Sequence, residues 1–164
     1  MCIYGKNNTR KLSPKGSERA SSIPLNWKSG VYACLADRLS RAGRTEEALK
    51  AAEQALHLGL SPATPTDWYF YHLGSASYLI GRYEEALAFL QQLLSHYPKH
   101  LGGHLTLAAV YSELGKEAEA RAEAAEVLRL NPKFSLEVHR QRVPIKDPAV
   151  LERHIAALRK AGLK

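Results

Sequence analysis

The heptapeptide GRTEEAL at residues 43–49 returns 38 residues later as GRYEEAL at 81–87, and after a further 34 as GKEAEAR at 115–121. A motif repeated at a nearly fixed interval excludes most folds built round one irregular core, because every copy must meet the same local surroundings. Periods of this length belong to solenoids, whose units cannot bury an apolar face alone and so stack on one another. Aligning the echoes divides the chain into units 29–62, 67–100 and 101–134, with four extra residues, 63–66, after the first.

Inside each unit apolar residues recur at helical spacing in two runs, separated at Gly43, Gly81 and Gly115. In the second unit the first run includes Phe70, Leu73, Ser77 and Ile80, and the next run Ala86, Leu87, Leu90, Leu93 and Leu94. Each unit therefore reads as a helical hairpin whose glycine ends the first helix in a left-handed conformation. Thr45 is expected to cap the following helix of the first unit, with Glu46 and Glu47 in its positive first turn. Pro98 and Pro132 stop the second helices of the later units, and Pro62 comes later in the first unit, in a looser SPATPT connection. Small residues paired across the two runs, Ala36/Ala48, Gly74/Ala86 and Ala108/Ala120, predict close helix crossings.

These units resemble tetratricopeptide repeats, whose pattern runs W-x2-LG-x2-Y, then A-x3-F, then P. The second unit matches with Phe70, Leu73, Gly74, Ala86, Leu90 and Pro98. The third matches with Leu107, Ala108, Tyr111, Ala120 and Pro132, and the first with Tyr32, Leu35, Ala36 and Ala48. It departs from the pattern where Ser77 replaces a tyrosine, and where Leu93 and Val127 replace the small residue represented by Ala55. The resemblance implies an all-α helical-hairpin solenoid, a right-handed superhelix of three repeats over 29–134.

Residues 135–164 read as a short helix from about Ser135, a break at Pro144 and a second helix begun by Asp147 and Pro148. Val150, Leu151, His154, Ile155 and Leu158 form the apolar face of that helix, which is expected to cap the solenoid. Its sequence, including Lys146-Asp147-Pro148-Ala149 and Leu158-Arg159-Lys160-Ala161-Gly162-Leu163, resembles the end of bacterial multidomain proteins. In those proteins a class III adenylate/guanylate cyclase or winged-helix domain precedes a repeat array. No catalytic segment of a cyclase is present, so the resemblance implies a regulatory or docking arm, acting on an upstream domain.

The formal charge of +7 divides unevenly along the chain. Residues 1–28 hold six bases against one acid and 133–164 eight against three, so each end is +5 and the middle is −3. The first 28 residues have the polar, Pro/Gly/Ser-rich composition of a disordered tail or linker, and lack the interleaved aromatics of a nucleic-acid binder. No apolar run approaches a membrane span or a signal-peptide core. The two cysteines, Cys2 and Cys34, form neither a disulfide framework nor a metal spacing, so a reducing cytoplasm is expected.

No phosphate loop, GxSxG, HExxH or CxxC is present. The acid pairs Glu46/Glu47 and Glu84/Glu85 are adjacent, so on a helix they diverge by about 100° and do not share a substrate. His96, His100 and His104 have the i, i+4, i+8 spacing of metal ligands, but Pro98 interrupts that helix, and a packing role is the expectation. Neither catalysis, a cofactor nor a metal is expected.

What remains is a binding surface. In the repeat family the concave wall comes from the first helix of each unit, and the resemblance carries this onto Asp37 and Arg41, then Trp68, Tyr71, Ser75, Tyr78 and Leu79, then Leu105, Ala109, Ser112 and Glu113. Ala33 and Asp37 stand where relatives that clamp acidic C-terminal peptides carry Lys and Asn, which argues against that ligand. Trp68, Tyr71, Tyr78, Leu79 and Leu105 are expected to expose an apolar patch. Its occupant is an external apolar peptide or helix, or else the chain's own tails or a second copy in a homodimer. The sequence thus points to a non-catalytic protein interaction scaffold, with a detached regulatory segment of a cyclase or transcription regulator as the alternative.

Overall fold

The glycine of each hairpin shapes the turn on which the architecture rests. Gly43, Gly81 and Gly115 have φ of +78°, +86° and +72°, the left-handed region that a side chain disfavours. The residue after each glycine then donates its N–H back to the carbonyl five residues earlier: Arg44 to Leu39, Arg82 to Ser77 and Lys116 to Tyr111, at 2.8–2.9 Å. This is a Schellman closure, and it reverses the chain identically in all three units.

The computed structural model describes residues 25–59 and 66–164. The expectation of a disordered tail over residues 1–28 lies outside the described residues as far as 24, but is corrected at 25–28, which already form the start of the helix Leu25–Arg41; Pro62 in the SPATPT connection also lies outside the described residues. Six helices form the hairpins: α1 (Leu25–Arg41), α2 (Thr45–Leu58), α3 (Thr66–Leu79), α4 (Tyr83–His96), α5 (Leu101–Glu113) and α6 (Glu117–Leu130). α1 packs on α2, α3 on α4 and α5 on α6, while α3 also lies against α1 and α5. With no strand among the described residues, the fold is an all-α helical-hairpin solenoid.

Thr45 is not a cap. Arg44 occupies that position without a side-chain capping bond, as do Arg82 and Lys116 in the later units. The Schellman bond uses the residue after glycine to enter the next helix, so Thr45 is already helical. Arg44 instead turns its guanidinium onto Glu47 at 2.7 Å, one of the first-turn acids.

The small pairs lie where the helices cross. Ala36, Ala48, Ala86, Ala108 and Ala120 are at most 1% exposed, which shows that nothing larger has room. A Cβ built on Gly74 would stand 2.8 Å from Leu90 Cγ, closer than carbon atoms tolerate. The core forms two clusters, one joining the first unit to Tyr69, Leu73 and Ala76 of α3, the other running from Tyr78 and Leu79 through the third unit into the C-terminal residues.

The chain closes with α7 (Leu136–Arg142) and α8 (Pro148–Lys160). Ser135 caps α7, and the Asp147 carboxylate caps α8 by accepting from the Ala149 N–H at 2.8 Å and the Val150 N–H at 3.3 Å. This segment does more than cover the end of the stack. α8 packs on α5, but the Lys146 N–H donates to the Arg41 carbonyl in the first unit at 2.8 Å, and Arg153 donates to the Leu79 carbonyl in the second at 2.9 Å. Lys160 lies 3.6 Å from Glu117 in the third. The arm therefore reaches all three hairpins along the ends of α1, α3 and α5.

Overpacking the crossing tests this arrangement. Ala86→Leu is expected to cost about 1–3 kcal/mol in urea unfolding, because neither helix can retreat without breaking contact with its neighbour. Ala122→Leu, on the exposed side of α6, should stay within about 0.5 kcal/mol. Equal stability of the two variants would refute the close crossing.

Candidate functional site

The wall residues named from the sequence do lie together on the first helices of the hairpins, but the expected open patch is closed. Tyr78 is 1% exposed, Leu79 6% and Leu105 9%, and Ser75, Ala109, Ser112 and Asp37 are buried as well. Trp68, Tyr71, Arg41 and Glu113 are partly covered. The cause is the arm: residues 136–163 supply Leu136, Ile145, Ile155, Leu158 and Leu163 to the same cluster as Tyr78, Leu79 and Leu105. Covering Leu79 and Leu105 removes apolar surface from water at about 1.5–3 kcal/mol for each leucine. Between arm and wall lies a cavity of about 40 Å³, touched by Arg41, Tyr71, Tyr78, His139 and His154. Ligand sites of small molecules run to hundreds of cubic ångströms, so nothing peptide-sized enters this cavity while the arm is in place. A shallower cleft of about 360 Å³ lies between Ser112 and Glu113 of the wall and Arg153, Ala156, Ala157 and Lys160 of α8.

Beside the cavity, α1 and α3 are joined by a buried polar network. Arg41 donates through Nε to Asp37 at 2.9 Å and through a terminal nitrogen to Ser75 at 2.8 Å. Ser75 donates to the same Asp37 oxygen at 2.6 Å, and His72 Nδ1 meets the other at 3.0 Å. Burial alone would raise the Asp37 carboxyl, but the His72 hydrogen bond, the charges of Arg41 and His72 and the Ser75 hydrogen bond outweigh it and hold the group below its ordinary value. The sequence placed Asp37, Arg41 and Ser75 on the wall; His72 was missed. The i, i+4 spacing of acid and base on α1 was the available signal.

Under the arm a second chain of polar atoms crosses the interface. Tyr78 Oη lies 3.1 Å from His154 Nδ1, and His154 Nε2 lies 3.0 Å from His139 Nε2. Burial pushes His154 down to about 3, reinforced by His139, Arg41 and Arg153, and burial with Arg41 also lowers His139. Burial raises the Tyr78 phenol, so it stays protonated. His154 stood out in the sequence only as a polar residue on an apolar helix face; nothing marked His139 as its partner. At the far end of the wall, Glu113 stands 3.8 Å from Arg153 Nε.

The three spaced histidines do not converge. His104 is held by Glu123 at 2.6 Å and by the Pro98 carbonyl at 2.9 Å, while His100 caps α5 by accepting from the Gly103 N–H at 2.9 Å. Among the described residues no group of three His, Cys, Asp or Glu side chains has metal-binding geometry.

Removing one member of the α1 and α3 network leaves a buried cation without its anion. Asp37→Ala is expected to cost about 3 kcal/mol in urea unfolding, and Asp37→Asn less, because the amide oxygen still accepts from Ser75 or Arg41. A cost below about 0.5 kcal/mol for Asp37→Ala would show the network to be solvated rather than buried.

No curated protein gives a significant match to the chain. The family model described as tetratricopeptide repeat matches residues 81–140, which run from the second hairpin turn through α6 into α7. The match does not extend over α8, and the cyclase-like resemblance of the C-terminal segment gains nothing from it. No helix among the described residues is long and apolar enough to cross a membrane. Repeats of this kind generally mediate protein–protein interaction and are typically non-catalytic scaffolds. Over residues 81–140 the chain is similar to tetratricopeptide repeats, carried here on an all-α helical-hairpin solenoid.

Proposed function

We propose that the chain is a non-catalytic interaction scaffold whose concave wall, from Tyr71 to Leu105, receives an amphipathic helix. The observation that supports this reading is that the wall already holds one. α8 turns His154, Ile155, Ala157 and Leu158 inward and keeps Glu152, Ala156, Arg159 and Lys160 in water, the pattern by which a helix lies in an apolar groove. Its polar anchors are few: Arg153 on the Leu79 carbonyl, and His154 on Tyr78. An external helix that reproduces the apolar stripe and one basic anchor can take the same place once the arm leaves.

The partner this wall fits is therefore apolar on one face and basic on the other. The wall and the hairpins behind it belong to the −3 portion of the sequence, whereas the arm belongs to a +5 portion. Complementary charge of this kind chiefly speeds encounter and rejects wrong partners.

The test uses a fluorescent synthetic peptide of residues 134–164, added to the full-length chain. Arg153→Ala in the chain, but not in the peptide, weakens the attached arm and is expected to raise peptide affinity about tenfold, in line with one charge-assisted hydrogen bond. Fluorescence anisotropy reads the change. Absence of binding by both the unaltered chain and Arg153→Ala would overturn the reading.

A further inference from the structure

The contact between His139 and His154 is unusual for two basic groups: ring nitrogens 3.0 Å apart, beneath a helix that covers the wall. A nitrogen–nitrogen contact this short is a hydrogen bond only if one nitrogen carries a proton and the other a lone pair. In the neutral pair, Tyr78 either donates to His154 Nδ1, leaving Nε2–H to point at His139, or accepts from Nδ1–H while His139 donates. Both arrangements place one proton in the gap.

Adding a proton to one ring keeps that bond but buries a positive charge. From α1, Arg41 faces the pair; from α8, Arg153; and both charges disfavour protonation of His154. From α3 come the neutral phenols of Tyr71 and Tyr78, with Tyr83 of α4 beyond, its ring 6.1 Å from that of Tyr78. The carboxylate of α5, Glu113, stands beside Arg153 rather than the histidines. A second proton sets two N–H groups head on across 3.0 Å, where no hydrogen bond is possible.

We propose that His139 and His154, both carried by the arm and both facing the wall across the cavity that Arg41, Tyr71 and Tyr78 line, form an acid-sensitive latch: neutral, they let the arm lie over the concave wall with His154 on Tyr78, and on protonation they release it and open the wall to a partner. The inference rests on the proposed role of the wall as a binding surface. Between the two histidines the chain makes a ready hinge, since residues 143–147 are non-helical and Pro144 forbids a continuous helix. Protons also act selectively here. His72 and His104, unlike this pair, face the carboxylates of Asp37 and Glu123 rather than another base.

The sign follows from linkage. Both histidines bind protons more weakly when docked than when released. Docking is therefore at full strength above the ordinary histidine value near 6.5, and weakens as pH falls below it, toward about 3 for His154. Each histidine that must stay neutral shifts the ratio of released to docked arm about tenfold between pH 7.5 and 5.5, and two shift it about a hundredfold.

Amide hydrogen exchange on the full-length chain reads the latch without any ligand. After correction for intrinsic exchange rates, protection of the Lys146 N–H, which is bonded to Arg41, is expected to fall at least tenfold from pH 7.5 to 5.5. Amides of α4 and α6 should keep theirs, which separates arm release from unfolding. His139→Gln, altering only the half-buried ring, should flatten the slope, and His139→Gln/His154→Gln should abolish it. Constant Lys146 protection across this range would overturn the proposal, as would an unaltered slope in His139→Gln. Peptide binding by Arg153→Ala at pH 7.5 with constant Lys146 protection would sustain the binding wall and reject the latch.

Discussion

Everything in this structure depends on how closely the two helices of a hairpin approach. Gly74 has no room for a methyl group beside Leu90, and Ala86, Ala108 and Ala120 are sealed at their crossings. Close approach fixes the depth of each hairpin. The left-handed glycines fix its reversal, and stacking α1, α3 and α5 side by side follows. The wall is a consequence of that stacking rather than a feature added to it.

Beside the smaller Ser75, Ala109 and Ser112, the inner surface of this wall sets large side chains, Tyr71, Tyr78, Leu79 and Leu105. Left in water they would make an apolar patch of the size that usually marks an interface. The arm solves this within the chain: Tyr78, Leu79 and Leu105 are buried, and a cavity of about 40 Å³ is left beside Tyr71 and Tyr78. Its anchoring is uneven: an apolar stripe supplies adhesion, whereas the polar contacts, His154 to Tyr78 and Arg153 to Leu79, supply register. Adhesion by apolar area is insensitive to protons; register by histidine is not. On the proposed latch, that difference lets one segment serve as a stable cover and a responsive one.

The two polar systems flanking the cavity have opposite electrostatics. On one side Asp37 collects hydrogen bonds from Arg41, His72 and Ser75, and its charge is stabilised despite burial. On the other, no carboxylate among the described residues is within reach of His154, which burial and neighbouring positive charge hold neutral. The first ties the first hairpin to the second. The second ties the arm to Tyr78 of the second hairpin.

The repeat period, the hairpins, their glycine turns, the small crossings and the cap at Asp147 were all legible in the sequence, because each is set by residues close along the chain. Period and helical spacing are one-dimensional properties, and a left-handed glycine is a local one. Thr45 was misread as a cap because the backbone bond from Arg44 to Leu39 claims the preceding residue for the turn, a geometry that residue type does not reveal. A set of residues for the concave wall could be proposed from the sequence. Whether that wall is open was not legible: the answer depends on where residues 136–163 come to rest, with Tyr78 and His154 separated by 76 positions. Sequence by itself determined a stacked-hairpin chain with an apolar inner face and an amphipathic, basic final helix. Only the tertiary structure decided that the one covers the other, because burial of a surface depends on distances in space that no spacing along the chain encodes.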